Sequence, residues 1–413
     1  MEVTAHYKET EVGRIPEEWG VKRLGELGEV VRGGSPRPAG DPRYFDGDFV
    51  PWLTVAALTN ISEHTLEVTE TVGFLTEEGS KHSRTLPAGT LIIANSGATL
   101  GVAKILGITC CANDGVAAIV NQRLGDKRYI CHYINTRTKA LREVVATGNG
   151  QPNLNTGLIR DIVIPFPPPP EQRAIAAALS DVDALLGGLD RLVAKKRDLK
   201  LAAMQQLLTG QTRLPGFQGE WDVKRLGELA DTDPENLGTE TRSDYEFNYI
   251  ALEDVDRGSL RSHSEQWFAS APSRARRKLR ENDVLVSTVR PNLQSHLLFR
   301  TKVGEWVCST GFCVVRCRPC VTSPDYIFAH LFSAPVKRQI DALLTGSNYP
   351  AINSGDVRAL RIPVPTYAEQ TAIAAALSDM DAEIVALKAR RDKTRALKQA
   401  MMQQLLTGRT RLI

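Results

Sequence analysis

The chain has 413 residues, of which 42% are hydrophobic, 24% charged and 6% aromatic, enough for more than one domain with its own core. Mean hydropathy is −0.21, and no stretch approaches the roughly 18 consecutive apolar residues that a membrane helix needs, so no membrane association is expected. A net charge of +3 does not by itself announce a nucleic-acid binder.

In chain order, the opening MEVTAHYKETEVGRIPEEWG is polar, which argues against a secretory leader. The first distinctive element is Glu18-Trp19 with Val21-Lys22-Arg23-Leu24-Gly25-Glu26-Leu27, and it returns as Glu220-Trp221 with Val223 to Leu229. A small basic group, Lys81-His82-Ser83-Arg84, precedes the β-rich run Thr90–Ala94, which runs into the polar turn Asn95-Ser96-Gly97. Thr147 to Asn155 (TGNGQPNLN) is echoed by Thr345 to Asn353 (TGSNYPAIN). Prolines 167 to 170 force an extended lead-in and close off any helix reaching back through them.

A long helix follows, expected from Glu171 to Leu208 and spanning about 57 Å at ~1.5 Å per residue. Ile175, Leu179, Val182, Leu186, Leu189 and Val193 recur with a period near 3.5, and Ile373, Leu377, Met380, Ile384 and Leu387 repeat the register. Such spacing is the seam of two helices packed side by side. Both seams turn polar at Lys196 and Thr394, and both helices are expected to end at Thr-Gly pairs, at Gly210 and Gly408. Gly187-Gly188 interrupts the first copy and is read as a close crossing or a kink. At an offset of 198 positions, 28 of the 44 pairs between 171–214 and 369–412 are identical, so a domain plus its helix is duplicated. Mutual antiparallel packing would bury both stripes, whereas a surface helix on its own domain would bury one.

Between the repeated anchors, residues 28–146 and 230–344 share little. Asp283–Ser287 is a second short β-rich run, and Trp306–Arg316 reads as a strand pair. The expected class is therefore α/β (α+β). The expected boundaries are a first domain at 1–166, a helix at 167–214, a second domain at 215–366 and a helix at 367–413.

Enzyme signatures are sparse. Cys313, Cys317 and Cys320, with Cys308 nearby, match an iron–sulfur or zinc ligand spacing, but the stretch alternates like a strand. Buried thiols are the plainer reading. No P-loop, HExxH or GxSxG occurs, so the chain is expected to be non-catalytic and to bind no metal. Seven scattered cysteines point to a reducing, cytoplasmic setting rather than a disulfide framework.

Positive charge is local. Arg274, Arg276, Arg277, Lys278 and Arg280 fall within seven residues ahead of a strand, and the turn Arg290-Pro291-Asn292-Leu293-Gln294 follows it. Lysine and arginine suit phosphates, whereas Arg, Asn and Gln suit guanine and adenine edges. A solvated charged face is the plain alternative.

The duplicated Gln-Pro-Asn-Leu-Asn stretch, the helices led by Glu-Gln, the Met-Gln-Gln-Leu-Leu-Thr-Gly ends and the opening Trp-x-Val-Lys-Arg-Leu-Gly-Glu-Leu resemble the specificity subunits of type I restriction–modification enzymes over nearly the whole chain. The second copy departs in one loop, with Asn348-Tyr349-Pro350-Ala351 where the first has Gly150-Gln151-Pro152-Asn153. The resemblance implies two target-recognition domains separated by an antiparallel helix pair, in a pseudo-twofold arrangement. Each domain would read one half of a bipartite, asymmetric site in double-stranded DNA, and helix length would set the gap. Half-sites one turn apart lie about 34–36 Å from each other, within the reach of such helices. It further implies two modification subunits carrying S-adenosylmethionine and methylating adenine. Restriction (translocase) subunits using ATP and Mg would join them, and this chain itself would hold no cofactor. Arg290, Asn292, Gln294, Asn95 and Ser96 are the candidate base readers, with Arg276, Arg277, Lys81 and Arg84 as candidate phosphate contacts. A methyltransferase-only or fused-subunit system remains an alternative, as does a metal enzyme centred on the cysteines.

Overall fold

The computed structural model describes residues 6–145, 153–345 and 350–412. The chain forms two compact units, Met1–Leu192 with Leu387–Ile413, and Val193–Ala386.

The first unit holds two larger sheets beside the two-stranded pairs Tyr7–Thr10 with Gly13–Pro16 and Gly20–Arg23 with Val163–Phe166. One runs Glu29–Arg32, Val116–Val120, Leu91–Ala94, Ala103–Leu106 and Glu67–Val68, antiparallel except for its last pair. The other runs Gly73–Leu75, Val50–Leu53, Cys110–Ala112 and Arg84–Leu86, with its middle pair parallel. Leu91–Ala94 is buried along its whole length, because both faces of its sheet are covered and no alternation of polar residues is needed. Helix Lys127–Thr136, capped by the Asp126 carboxylate at the amides of Arg128 and Tyr129, lays Tyr129, Ile130 and Ile134 into the core.

The second unit repeats this topology. Its sheets run Ala230–Thr232, Phe312–Cys317, Val284–Ser287, Leu297–Leu298, and Ser264–Trp267, Glu246–Ile250, Trp306–Ser309, Ala275–Lys278. Strand directions match throughout, including the parallel middle pair. The first unit alone adds a fifth strand, Glu67–Val68, to its larger sheet. The intervening segments have thus lost sequence likeness while keeping one architecture. Trp306–Ser309 and Phe312–Cys317 are both strands, yet they do not pair with each other. The chain crosses from one sheet to the other at Gly311, where a Cβ would stand 2.5 Å from Leu252 Cδ1.

The two long helices are Pro169–Leu207 and Tyr367–Leu405, each of 39 residues. Pro169 and Pro170 lie inside the first turn, contrary to the expectation of a fully extended lead-in. The first turn tolerates them because its amides have no helical partner to lose. The helices run antiparallel. In the first unit Asp183 pairs with Lys398 at 2.6 Å and Asp190 with Arg391 at 3.5 Å. In the second unit Lys196 pairs with Glu383 at 2.7 Å and Lys200 with Asp381 at 2.5 Å. Of the seam positions, Ile175, Leu179, Leu186, Leu189, Ile373, Leu377 and Ile384 are buried, while Val182, Met380 and Leu387 are half-buried. Ile175 and Leu179 join the core of the first unit, and Ile373 and Leu377 that of the second. The helix continues through Gly187-Gly188, and a Cβ on Gly188 would meet nothing within 4 Å. These glycines therefore mark no close crossing.

Candidate nucleic-acid interface

The repeated residues build a frame, and each repeat has an identifiable job. Glu171 is 2% exposed and accepts from Arg411 Nε at 2.6 Å, Arg411 Nη2 at 2.9 Å and Trp19 Nε1 at 2.9 Å. In the second unit Glu369 accepts from Arg213 Nε at 2.5 Å and Nη2 at 2.6 Å. Gly210 and Gly408, at φ +72° and +71°, turn the chain back after each helix so that these arginines can reach. Gln172 Oε1 accepts from the Asp126 amide at 2.8 Å, and Gln370 Oε1 from the Ser323 amide at 3.0 Å. Each Gln thus ties the start of a long helix to the residue that caps a helix of the domain.

The Asn-bearing repeat fixes the turn that follows each central strand. The Leu154 amide donates to the Asn95 carbonyl at 2.8 Å, and the Ile352 amide to the Thr288 carbonyl at 2.9 Å. Isolated bridges join Ser96 to Asn153 and Val289 to Ala351. Asn155 and Asn353 then cap the next short helices through their side-chain oxygens, at 2.8 and 3.0 Å. Gly148, Gly150, Gln151 and Pro152 of this repeat, with Gly346, Asn348 and Tyr349, lie outside the described residues.

In the second unit the turn is shaped by two non-glycine residues in the left-handed region, Arg290 (φ 49°) and Gln294 (φ 58°), on either side of the short Pro291–Leu293 helix. Left-handed backbone at bulky residues is costly and persists only when its surroundings impose it. Here the Arg290 amide donates to the Pro350 carbonyl at 2.8 Å. The fully buried His296 accepts from the Ser287 amide through Nδ1 at 3.1 Å. Burial pushes the His296 imidazole down to about 4, so it stays neutral and its Nδ1 is available as an acceptor. Arg290, Asn292 and Leu293 are exposed at this turn and Gln294 is half-buried.

The matching turn of the first unit differs in kind. Asn95 is 1% exposed, and its Nδ2 donates to the Asp114 carbonyl at 3.2 Å. Its side chain lies inside, not on the surface where a base-reading amide would stand, whereas Ser96 is half-buried. Arg142, which the sequence reading passed over, holds the turn by donating to Ala98 O at 2.7 Å and Leu100 O at 3.2 Å.

The basic groups occupy equivalent places, on edge strands Arg84–Leu86 and Ala275–Lys278 of the matching sheets or just before them. Lys81 is exposed and pairs with Glu78 at 3.2 Å, and Arg84 Nε donates to Arg32 O at 2.9 Å. Arg276 stacks 4.9 Å from the Phe268 ring, where the strand register shifts. Arg277 is committed to Asp233 at 3.0 Å and Asn236 at 3.1 Å, Lys278 lies 3.5 Å from Glu305, and Arg280 pairs with Glu235 at 2.5 Å. Arg274 is exposed and has no ion-pair partner among the described residues.

The cysteines are not gathered. Cys313 is buried in the core of the second unit and Cys317 packs at its margin, whereas Cys320 is exposed. Burial pushes the Cys313 and Cys317 thiols up to about 12. Among the described residues no group of three or more His, Cys, Asp and Glu side chains could hold a metal ion. The iron–sulfur or zinc alternative therefore finds no geometry to rest on. Among the described residues, no helix is long and apolar enough to cross a membrane.

The described residues thus build a duplicated frame that presents an unlike turn in each unit. The profile of the type I restriction modification DNA specificity domain matches residues 16–190 and again 218–394, and the chain belongs to that family. It is 21% identical to the type I restriction enzyme MjaVIII specificity subunit of Methanocaldococcus jannaschii, across 98% of this chain and 96% of that one. With the MjaIX specificity subunit of the same organism it shares 27% identity, over about half of each chain (54%). In fold it is similar to the type I restriction–modification S subunit of M. genitalium, with a TM-score of 0.59 at 14% identity, covering 94% of this chain and 96% of that one. It is also similar to a chain from a solved type I R-M system studied for complex assembly and conformational transition. The TM-score there is 0.57 at 18% identity, covering 95% and 99%.

Proposed function

We propose that this chain is the sequence-reading subunit of a type I restriction–modification complex, with each unit reading one half of a bipartite, asymmetric site in double-stranded DNA. The observation that carries this reading is the pairing of a duplicated frame with two different turns. Asn155 and Asn353 cap alike, and Glu171 and Glu369 are gripped alike. Meanwhile one turn buries Asn95 and the other exposes Arg290 and Asn292. Equal frames suit two copies of one partner, the modification subunit, and unequal turns suit two different half-sites. Arg290, Asn292, Gln294 and Ser96 act at base edges, while Arg276, Lys81 and Arg84 contact phosphates. The chain carries no chemistry of its own. S-adenosylmethionine sits on the modification subunits, and base flipping and methyl transfer occur there. ATP and Mg serve the restriction subunits, and the complex works in the cytoplasm.

The test is modified-base sequencing of DNA from cells expressing this chain with its neighbouring operon genes. The expected result is a methyladenine motif of two unlike parts around a fixed gap, absent when this gene is deleted. Methylation without cleavage of unmodified DNA would identify a methyltransferase-only system. No motif, with partners present and folded, would overturn the reading.

A further inference from the structure

The first unit contains a cavity of about 810 Å³, lined by its domain and by the last turns of the C-terminal helix. Four basic side chains line it, namely Lys104, Arg137, Arg395 and Lys398, against one carboxylate, Glu63, with Asp183 paired to Lys398 behind the wall. Lys104 is 2% exposed and comes from a strand buried along its whole length. Its ammonium donates to two main-chain carbonyls, of Ser62 at 2.9 Å and of Thr65. Among the described residues it meets no carboxylate, and it keeps a third donor in hand. Desolvation lowers the Lys104 pKa, outweighing the nearby Asp183 and Glu63 carboxylates. His64, 8% exposed, also lines the cavity, and its Nε2 makes no hydrogen bond among the described residues although Glu63 Oε1 lies 3.3 Å away. Leu66, Tyr133 and Met402 supply an apolar wall.

The duplicated frame does not require this arrangement. In the second unit the corresponding helix pair, Lys200 with Asp381, lies at the surface with the carboxylate side chain 57% exposed. In the first unit Asp183 is 4% exposed, covered by His64 at 3.3 Å and His132 at 3.9 Å as well as Lys398. Arg395 and Lys398 have partners, Glu63 at 3.3 Å and Asp183 at 2.6 Å, but burying Lys104 with no bonded carboxylate is costly unless something anionic compensates.

We propose that this cavity binds a phosphorylated small molecule of mononucleotide size, its phosphate among Lys104, Arg395 and Lys398 and its ring against Tyr133 and Leu66. The volume falls within the range of about 300–1,000 Å³ usual for small-molecule sites, and a phosphate between cations forms charge-assisted hydrogen bonds. The probe is adenosine monophosphate, titrated calorimetrically into the full-length chain, with adenosine and inorganic phosphate run alongside. The expected result is one saturable site per chain for the nucleotide, competed by phosphate and not filled by adenosine. Arg395→Gln, which leaves the buried groups in place, should weaken binding about tenfold or more, and so should Lys104→Gln. Lys200→Gln, in the second unit, should leave it unchanged, with melting curves reporting that each variant is folded. No saturation at millimolar nucleotide would overturn the proposal. So would equal binding of adenosine, or binding unchanged in a folded Arg395→Gln.

Discussion

Arg411 grips Glu171 with two nitrogens, at 2.6 and 2.9 Å, across 240 positions of sequence. The carboxylate is 2% exposed, so the pair is a structural lock rather than a surface ornament. Removing one member of a buried pair costs about 3 kcal/mol or more, because the other charge is left without compensation. Arg411→Ala should therefore lower stability by about that amount. Arg213→Ala should cost more, since Glu369 has no second side-chain donor among the described residues while Glu171 keeps Trp19. Equilibrium urea unfolding of the two variants checks the ranking.

Three buried histidines give stability a pH dependence of known sign. Burial lowers His132 and His330 to about 3 and His296 to about 4. In the unfolded chain each takes a proton near its ordinary value of about 6.5, so the folded state binds fewer protons below that pH. Their contribution is complete above about pH 6.5 and declines as pH falls toward 4, by about 1.4 kcal/mol per pH unit for each histidine. His330→Phe, whose ring would keep the edge contact with Tyr326 at 4.6 Å, should remove one histidine's share of that slope. Urea midpoints at pH 7, 6 and 5 would show it.

The basic strand separates charge used for folding from charge left for a ligand. Arg277→Ala should destabilise the second unit, because Asp233, whose side chain is 11% exposed, loses its guanidinium partner. Arg274→Ala should leave melting unchanged yet weaken binding to all DNA sequences alike, with the salt slope reduced by about 1. Thermal melts and salt-dependent binding on the same two variants distinguish these outcomes.

At the turn, Arg290→Ala or Asn292→Ala should relax one part of the methylated motif and leave the other intact, each at a cost of about 1–3 kcal/mol in discrimination. Methylome sequencing of the variants reads this directly. A motif unchanged in both would remove this turn from base reading.

Thiol titration gives a simple check on the cysteines. Cys320 should react quickly in the native chain, the five buried thiols (Cys110, Cys111, Cys131, Cys308 and Cys313) only after unfolding, when all seven become available. Fast reaction at Cys313 would contradict its placement between Val286 and its neighbours in the sheet.

Much of the frame was legible because its residues answer to strong local rules. The seam around Leu179, Leu186 and Leu377 follows from spacing, and the turn glycines Gly210 and Gly408 from helix termination. The common topology of the two domains was not legible, since strands such as Leu91–Ala94 and Val284–Ser287 need only be apolar and short, and many sequences meet that demand. The inward side chain of Asn95 was hidden for another reason. Whether a turn amide faces solvent or a carbonyl depends on a partner, Asp114, that is distant in the fold's logic even at 19 positions away. Likewise nothing local marks Arg277 as the partner of Asp233 and Arg274 as unpaired.

The return of the chain after each long helix has a consequence for how the molecule would respond to a cut. In the first unit the segment around Arg411 seats against Glu171 and Trp19, and the Tyr7 hydroxyl donates to Gly408 O at 3.2 Å. In the second, Arg213 seats against Glu369 and its guanidinium lies 5.2 Å from the Trp221 ring, where the chain passes on unbroken. The segment Tyr7–Trp19 and the residues around Trp221 thus occupy the same place in two copies of one design. A nick in the exposed run at Gly216–Gly219 would leave the two pieces held together, since the Arg213–Glu369 and Arg411–Glu171 pairs each join one side of it to the other.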